Sequence, residues 1–226
     1  MIEIKGFLET SFSDWTGKIC SVLFLPYCNF RCPYCHNHPL LFHPERFSTL
    51  PWEDILARLQ SLRNWVDGVC LTGGEPTLYP DLPSLIREIK QNRFLVKLDT
   101  NGSNPRMLKM LIEAKEIDFI SMDVKAPLDP FHYSRSAGFP INLNSILESI
   151  DILKRGEVEH EFRMTVVPAL HREEDIKGLG RQLRVGRRLI LQNFNPENPL
   201  DPLLKTIVPY DPKVLKKIER EVQGMV

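Results

Sequence analysis

The 226-residue sequence predicts one α/β domain built on a parallel sheet. Short apolar runs alternate with segments of helical periodicity almost throughout the chain. Such alternation is typical of parallel strands that are joined by right-handed helical crossovers. No long linker or repeat of fixed period interrupts the pattern, and the 18 prolines lie mostly between the predicted elements.

Six strands are predicted, separated by helices. The first strand, Lys18 to Leu25, is nearly continuously apolar, as expected for a strand buried on both faces. The others follow at 68–72, 94–99, 118–122, 161–167 and 187–193. Helices are predicted at 52–66, 81–92, 104–115, 144–155, 173–184 and 211–222, and loops at 39–51 and 127–138. An open doubly wound sheet and an incomplete barrel both fit this periodicity.

Composition narrows the class of protein. Apolar residues make up 42% of the chain and charged residues 26%, which disfavours disorder and coiled coil. Basic and acidic residues number 29 each, so binding to nucleic acid through phosphate neutralisation is not expected. The sequence shows no signal peptide and no apolar run of membrane-spanning length. We therefore expect a cytoplasmic protein without a membrane partner.

Three of the five cysteines lie within eight residues, directly after the first predicted strand. They are Cys28, Cys32 and Cys35. Clustered cysteines in a reducing compartment indicate metal or redox chemistry more often than disulfides. Three thiolates on one loop can bind three corners of a [4Fe–4S] cluster and leave one iron open to another ligand.

Zinc offers a competing interpretation of the same cysteines. Three thiolates with His36 or His38 would make a four-coordinate structural site. The remaining cysteines, Cys20 and Cys70, fall inside predicted strands and are not expected to be ligands.

Polar, turn-forming residues follow three further strands. They are the segments GGEP (73–76), DTNG (99–102) and MDVK (122–125). Arg163 lies within the fifth strand and Gln192 towards the end of the sixth. Each feature alone also fits a turn, a helix cap or a surface ion pair. Because ligands of parallel α/β folds bind beyond the carboxyl ends of the strands, their common position predicts a binding site there.

These motifs together resemble those of a known family. The Cys-x3-Cys-x2-Cys spacing with Tyr34 before the third cysteine, combined with GGEP, resembles the radical S-adenosylmethionine (SAM) superfamily. CNFRCPYCHN (28–37), LDTNG (98–102) and MDVK resemble the glycyl-radical-enzyme activases. The segments 6–18 and 191–198 are similar to the anaerobic ribonucleoside-triphosphate reductase activating proteins.

The resemblance implies a fold, cofactors and partners. The fold is an incomplete (βα)6 TIM-like barrel with parallel strands, forming a single core domain over residues 1–226. The cofactors are a [4Fe–4S] cluster and SAM, whose reductive cleavage yields a 5′-deoxyadenosyl radical. The implied partners are a glycyl radical enzyme, on which a glycyl radical is installed, and an electron donor such as flavodoxin or ferredoxin.

The resemblance also implies residue roles. The three cysteines hold three irons, and they are counted with Lys125 as catalytic. Tyr34 lies against the adenine through its backbone or ring. Gly73, Gly74 and Glu75 face the methionine ammonium group. Asp123 and Lys125 contact the methionine carboxylate and the ribose. Asp99 helps to organise the site through a monovalent cation. Three further residues are candidates for the ligand pocket: Asn101, Arg163 and Gln192.

Two alternatives to an activase remain open from the sequence. One is a small-molecule radical SAM enzyme, for example one that makes a modified purine. A basic pocket for an anionic substrate would favour it, and four arginines could supply the charge: Arg181, Arg184, Arg187 and Arg188. The other alternative is a zinc-stabilised binding module, which predicts a colourless protein.

Overall fold

Seven strands form one open sheet, in chain order, in the computed structural model, which describes residues 2–184 and 189–224. The strands are β1 (Gly6–Ser11), β2 (Cys20–Leu25), β3 (Gly68–Gly73), β4 (Leu95–Thr100), β5 (Phe119–Asp123), β6 (Glu159–Val166) and β7 (Leu189–Asn193). β2 to β7 pair in parallel, which confirms the predicted incomplete α/β barrel. Residues 187 and 188 of the sixth predicted strand lie outside the described residues.

β1, which was not among the predicted strands, corrects the expectation that all strands are parallel. β1 pairs antiparallel with β2, at the edge of the sheet. An edge strand has one paired neighbour and can carry polar residues, so its sequence lacks the continuous apolar run of a central strand. Glu9 on β1 accepts two hydrogen bonds from Arg58, at 2.8 and 2.7 Å.

Helices connect the strands. They are α1 (His38–Phe42), α2 (Trp52–Ser61), α3 (Leu82–Gln91), α4 (Pro105–Glu113), α5 (Pro130–Ala137), α6 (Leu143–Lys154), α7 (Glu173–Leu183) and α8 (Pro212–Gln223). The six predicted helices are confirmed, although α2 ends five residues early. Short 3₁₀ turns occupy Pro44–Arg46, Pro76–Leu78 and Pro202–Thr206. No helix in the described part of the chain is long and apolar enough to cross a membrane.

Two of these helices, α1 and α5, lie where loops were predicted. α1 has five residues, too few for a periodic pattern to show. α5 begins after Asp129, whose side chain accepts hydrogen bonds from the backbone N–H groups of Phe131 and His132. Such an N-cap satisfies backbone groups that otherwise lack partners at a helix start, and it stabilises a helix whose apolar pattern is weak.

The two faces of the sheet differ in chemistry. One face packs against the helices in the main apolar core, which includes Val96, Leu98, Ile120 and Met122. Because side chains alternate along a strand, the residues between these point to the other face. That second face carries a series of polar and charged residues: Lys97, Asp99, Ser121, Asp123, Glu161 and Arg163. We refer to it as the polar face.

One end of the polar face is closed by the connection between β1 and β2. Trp15 from this connection is buried with Cys20, Val22 and Cys70 in a small second apolar cluster. The ammonium group of Lys97 donates a hydrogen bond to the backbone carbonyl of Asp14, in the same connection. The polar face is therefore accessible from the opposite end, where the parallel strands finish.

Candidate functional site

A cavity of about 440 Å³ lies at the carboxyl ends of the parallel strands. Its wall contains every residue that the sequence assigned to the site. These are Cys28, Cys32, Tyr34, Cys35, Gly73, Gly74, Glu75, Asp99, Asn101, Asp123, Lys125, Arg163 and Gln192. The structure thus brings together residues that lie up to 164 positions apart in the chain (192 minus 28). Their individual roles stay predictions.

The cysteine loop, residues 28–35, follows β2 and is anchored on several sides. The backbone N–H of Arg31 donates to Ala137 O at the end of α5, at 2.8 Å. The Arg31 guanidinium donates to Cys28 O at 2.6 Å. The backbone N–H of Asp201 donates to Pro33 O at 2.7 Å. These bonds fix the loop before any cofactor binds.

The thiol group of Cys28 has hydrogen-bond donors of its own. Cys28 Sγ accepts from the backbone N–H of Phe30 at 3.3 Å and from Asn101 Nδ2 at 3.8 Å. Hydrogen bonds to sulfur are one means by which a protein sets the potential of an iron–sulfur cluster. Burial raises the pKa of the Cys28 thiol to about 11 and also raises the pKa of Cys32 and of Cys35. Ligand binding must therefore displace three thiol protons.

The described residues show no preformed site for a single metal ion at the cysteine loop. Within residues 2–184 and 189–224, no three Cys, His, Asp or Glu side chains converge on a point where one metal ion could bind. The zinc alternative needs His36 or His38 beside the three cysteines, and these side chains do not form such a group among the described residues. Nε2 of His36 lies 2.8 Å from Asn195 O instead. In a [4Fe–4S] cluster each cysteine binds a different iron, so the three thiolates need not converge.

Tyr34 lies in the cavity wall with its side chain turned into the protein. It is 6% exposed, and its ring packs edge-to-face against His171 with centroids 6.4 Å apart. Of the two contacts that the sequence allowed, we therefore expect the backbone rather than the ring to face an adenine.

The paired glycines permit a close approach of two strands. The backbone N–H of Gly74 donates to Leu25 O at 2.7 Å, and that of Glu75 donates to Tyr27 O at 2.8 Å. A Cβ atom on Gly74 would stand 1.7 Å from Tyr27 O, and Gly73 has a φ of +115°. Only glycine meets both conditions without strain. These glycines therefore also fix the end of β3 against β2, beyond any contact that they make with a ligand.

Glu75 is buried and engaged by the protein. Its Oε1 accepts from the Thr77 backbone N–H, from the Thr77 hydroxyl and from the Thr100 hydroxyl, at 3.1, 2.5 and 2.7 Å. Its Oε2 accepts from the Asn101 backbone N–H at 2.6 Å. Burial raises the pKa of this carboxyl group, although the four hydrogen bonds oppose the shift. One acceptor position on Oε2 is left for the ammonium group that the sequence led us to expect.

Five alternating charges run along the polar face. Lys97 lies 2.7 Å from Asp99, and Asp99 accepts a hydrogen bond from Arg163 at 3.1 Å. Arg163 also donates to Asp123 at 3.0 Å, and Lys125 donates to Asp123 at 3.2 Å. We call these five residues the charged chain. Lys97 was not among the site residues predicted from the sequence, although a lysine within an otherwise apolar strand is a visible signal.

The charges of these five side chains stabilise one another. Burial alone would raise the pKa of Asp123, but the adjacent Arg163 and Lys125 outweigh burial and hold that pKa well below its usual range. Burial would lower the pKa of Lys125, but Asp123 raises it well above its usual value. Arg163 responds in the same way to Asp123 and Asp99. All three groups are therefore ionised at neutral pH.

Asn101 and Gln192 occupy different parts of the cavity. Asn101 supports the cysteine loop, because Nδ2 also donates to Asn29 Oδ1 at 2.9 Å. Gln192 is exposed at the rim on β7, beside Thr165 of β6. The rim continues into Asn193 and Asn195, which were not predicted as site residues. Both lie in segment 191–198, and the resemblance of that segment to the activating proteins was the signal that could have indicated them.

Comparisons with known proteins agree with this site. The model of the radical SAM superfamily matches residues 22–178. A Methanocaldococcus jannaschii protein, provisionally named a glycyl-radical enzyme activating enzyme, is 35% identical over 208 residues, which cover 90% of this chain and 85% of that protein. A Thermococcus kodakarensis protein, provisionally named a GTP 3′,8-cyclase, is 29% identical over 64% of this chain and 46% of that protein.

A solved structure shows the same fold. The crystal structure of a radical SAM methyltransferase from Sphaerobacter thermophilus superposes with a TM-score of 0.65 at 16% identity, and covers 94% of this chain and 66% of that one. The superfamily match spans more than half of the chain and includes all three cysteines of the loop. The chain therefore belongs to the radical SAM superfamily, whose members use a [4Fe–4S] cluster and S-adenosylmethionine.

Proposed function

We propose that this radical SAM enzyme is an activase, which takes a hydrogen atom from a glycine residue of an anaerobic ribonucleotide reductase or a related glycyl radical enzyme. When bound, the cluster and SAM supply the one-electron cleavage that yields a 5′-deoxyadenosyl radical. The protein's part is to bind and orient both groups, to admit the target and to exclude water.

The observation that carries this proposal is the charge state of the cavity. Among the described residues, Lys125 and Arg163 are the only lysine or arginine side chains in its wall. Both are already ion-paired with carboxylates of the charged chain. A triphosphate needs several cations that are free to receive its charge. A glycine residue within a peptide carries no charge and needs none.

The rim of the cavity suits a peptide. Gln192, Asn193 and Asn195 supply neutral amide groups at the end of β7 and just beyond it. Amide side chains can both donate to and accept from a peptide backbone. The similarity to the M. jannaschii protein, over most of both chains, supports the same assignment.

In this proposal the predicted residues act as follows. Cys28, Cys32 and Cys35 hold three irons of the cluster. Lys125, at the cavity end of the charged chain, receives the methionine carboxylate. The remaining acceptor position of Glu75 receives the methionine ammonium group.

A small-molecule substrate is the second candidate function. The T. kodakarensis relative favours it, since that protein is named for a reaction of GTP. Of the four arginines that could supply an anion pocket, the two in the described part of the chain do not support it. Arg181 and Arg184, at the end of α7, are not in the cavity wall, and Arg187 and Arg188 lie outside the described residues.

An anaerobic experiment separates the two candidates. The reconstituted, reduced enzyme is incubated with SAM and either a glycyl radical enzyme encoded beside it or GTP. We expect a glycyl radical, detected by electron paramagnetic resonance, with the protein partner. We expect no GTP-dependent increase in 5′-deoxyadenosine. The Cys32→Ala variant is the control and should give neither signal. Turnover of GTP without any glycyl radical would replace the activase proposal with the second candidate.

A further inference from the structure

Two carboxylates of the polar face, Asp99 and Asp123, are joined by one side chain. Arg163 donates from Nη1 to Asp99 Oδ2 at 3.1 Å and from Nε to Asp123 Oδ1 at 3.0 Å. The family resemblance implied a monovalent cation organised by Asp99. A position between two carboxylates is where such a cation would be sought, and the guanidinium group already fills it.

The other two carboxylate oxygens are also matched with protein cations. Lys97 Nζ lies 2.7 Å from Asp99 Oδ1, and Lys125 Nζ lies 3.2 Å from Asp123 Oδ2. Each of the four oxygens therefore lies within 3.2 Å of a positively charged nitrogen, although Asp99 Oδ1 is ion-paired with Lys97 without accepting a hydrogen bond. Hard cations are bound by several oxygen ligands together, and each of these oxygens is already ion-paired with a protein cation.

The charges of the polar face are already balanced. The charged chain contains three cations and two carboxylates, and Glu161 on the same face supplies a third carboxylate. The side chains of Lys97, Asp99 and Arg163 are 1%, 8% and 13% exposed, so solvent screens them weakly. No uncompensated negative charge is left there to attract a further positive ion. The residues present do not fit a bound monovalent cation.

We propose that the guanidinium group of Arg163 is the fixed cation of this site, which holds Asp99 and Asp123 together in place of a bound monovalent ion. Asp123 in turn holds Lys125 at the cavity wall. Arg163 is thus a positioning residue: it acts on the cofactor site through the carboxylates that it joins. This inference does not depend on the identity of the protein target.

The test measures SAM binding to the reconstituted holoenzyme by anaerobic equilibrium dialysis. Three buffers of equal ionic strength contain sodium, potassium or tetramethylammonium chloride. For the wild-type protein we expect the same Kd in all three buffers, within twofold. Thermal unfolding of the same samples should likewise give a Tm that does not depend on the cation.

The Arg163→Gln variant creates the vacancy that an ion could fill. In tetramethylammonium chloride we expect its Kd for SAM to rise at least tenfold. Sodium chloride, potassium chloride or added guanidinium chloride at the same ionic strength should lower this Kd at least threefold and raise the Tm of the variant. Arg163→Lys keeps the positive charge but cannot donate to both carboxylates with the geometry of a guanidinium group. Its Kd for SAM should therefore lie between those of the wild-type protein and Arg163→Gln. Arg87→Gln, which removes a surface partner of Glu116, is the matched control and should bind SAM normally.

Several results would overturn the inference. One is a wild-type Kd that improves severalfold in sodium or potassium, because that would reveal a bound ion. Another is an Arg163→Gln variant with wild-type affinity in tetramethylammonium chloride. A loss of SAM affinity that sodium, potassium and guanidinium all fail to restore would assign Arg163 a purely structural role. If Arg163→Gln does not fold, the ion dependence of the wild-type protein and the Kd of Arg163→Lys decide the matter.

Discussion

The two faces of the sheet carry opposite chemistry although the same strands build both. On β4, Val96 and Leu98 are buried in the apolar core against the helices. Their neighbours Lys97 and Asp99 are also buried but belong to the charged chain. Side-chain alternation along a strand thus places residues for stability and residues for function next to one another. Substitutions at adjacent positions should therefore have different consequences.

The largest effect on stability is expected on the apolar face. Leu98→Ala removes a side chain that is 0% exposed, and we expect the free energy of unfolding to fall by about 4 kcal/mol, since such truncations leave a cavity. Denaturant unfolding measures the change. The fraction that remains folded should bind SAM with wild-type affinity. A loss of affinity in that fraction would show that the two faces are not separable.

Acid should weaken the packing behind the cysteine loop. His171 is buried, its Nδ1 accepts from the Val167 backbone N–H at 3.0 Å, and burial lowers its pKa to about 4. The fold favours the neutral ring, so this contribution is complete above about pH 6.5 and is lost as the pH falls towards 4. The difference between the ordinary pKa of 6.5 and the pKa of about 4 in the folded protein corresponds to about 3 kcal/mol of the free energy of unfolding.

The test of this prediction compares unfolding curves at several pH values. The wild-type protein should lose stability from pH 6.5 to 4 more steeply than the His171→Gln variant, which has no titrating ring. Parallel curves for the two proteins would contradict the assignment.

A smaller loss of stability is expected on the polar face. Lys97→Met leaves Asp99 with Arg163 as its remaining cationic partner. The free energy of unfolding should therefore fall by about 2 kcal/mol, which is less than the loss for a buried charge without any partner. Unlike Leu98→Ala, this variant should bind SAM more weakly even when fully folded. Equilibrium dialysis at low temperature measures this SAM affinity. A wild-type Kd for the variant would show that Lys97 does not contribute to the site.

The smallest effect on stability is expected at the rim. Gln192→Ala changes an exposed side chain, so its free energy of unfolding should move by no more than about 0.5 kcal/mol. We expect its SAM affinity to be unchanged and its KM for the protein partner to rise severalfold. Steady-state kinetics with Asn144→Ala, an exposed helix residue, as control would show the difference. An unchanged KM would place the target elsewhere on the cavity rim.

The fold and the cysteine loop were largely predictable because their signals are local. Apolar runs located six strands, and the cysteine spacing located the loop. β1 escaped because an edge strand needs little apolar sequence, and α5 escaped because its N-cap at Asp129 matters more than its periodicity. Helix ends such as that of α2 depend on local backbone geometry, which periodicity does not resolve.

The electrostatic organisation of the site was not predictable in the same way. Asp99 and Arg163 are 64 residues apart, and their ion pair depends on how β4, β5 and β6 align. Glu75 was identified as a site residue, but its four donors come from two different strand ends and could not be inferred from its motif. Motifs therefore identified the members of the site, while strand register determined their partners.

The central claim is that the cysteine loop and the polar face together support radical SAM chemistry. The most direct measurement is the formation of 5′-deoxyadenosine by the anaerobically reconstituted, reduced protein after addition of SAM, beside the Cys32→Ala variant. We predict a brown protein that forms 5′-deoxyadenosine, and a variant that does not. A colourless protein that holds zinc, or equal product from both proteins, would contradict the claim.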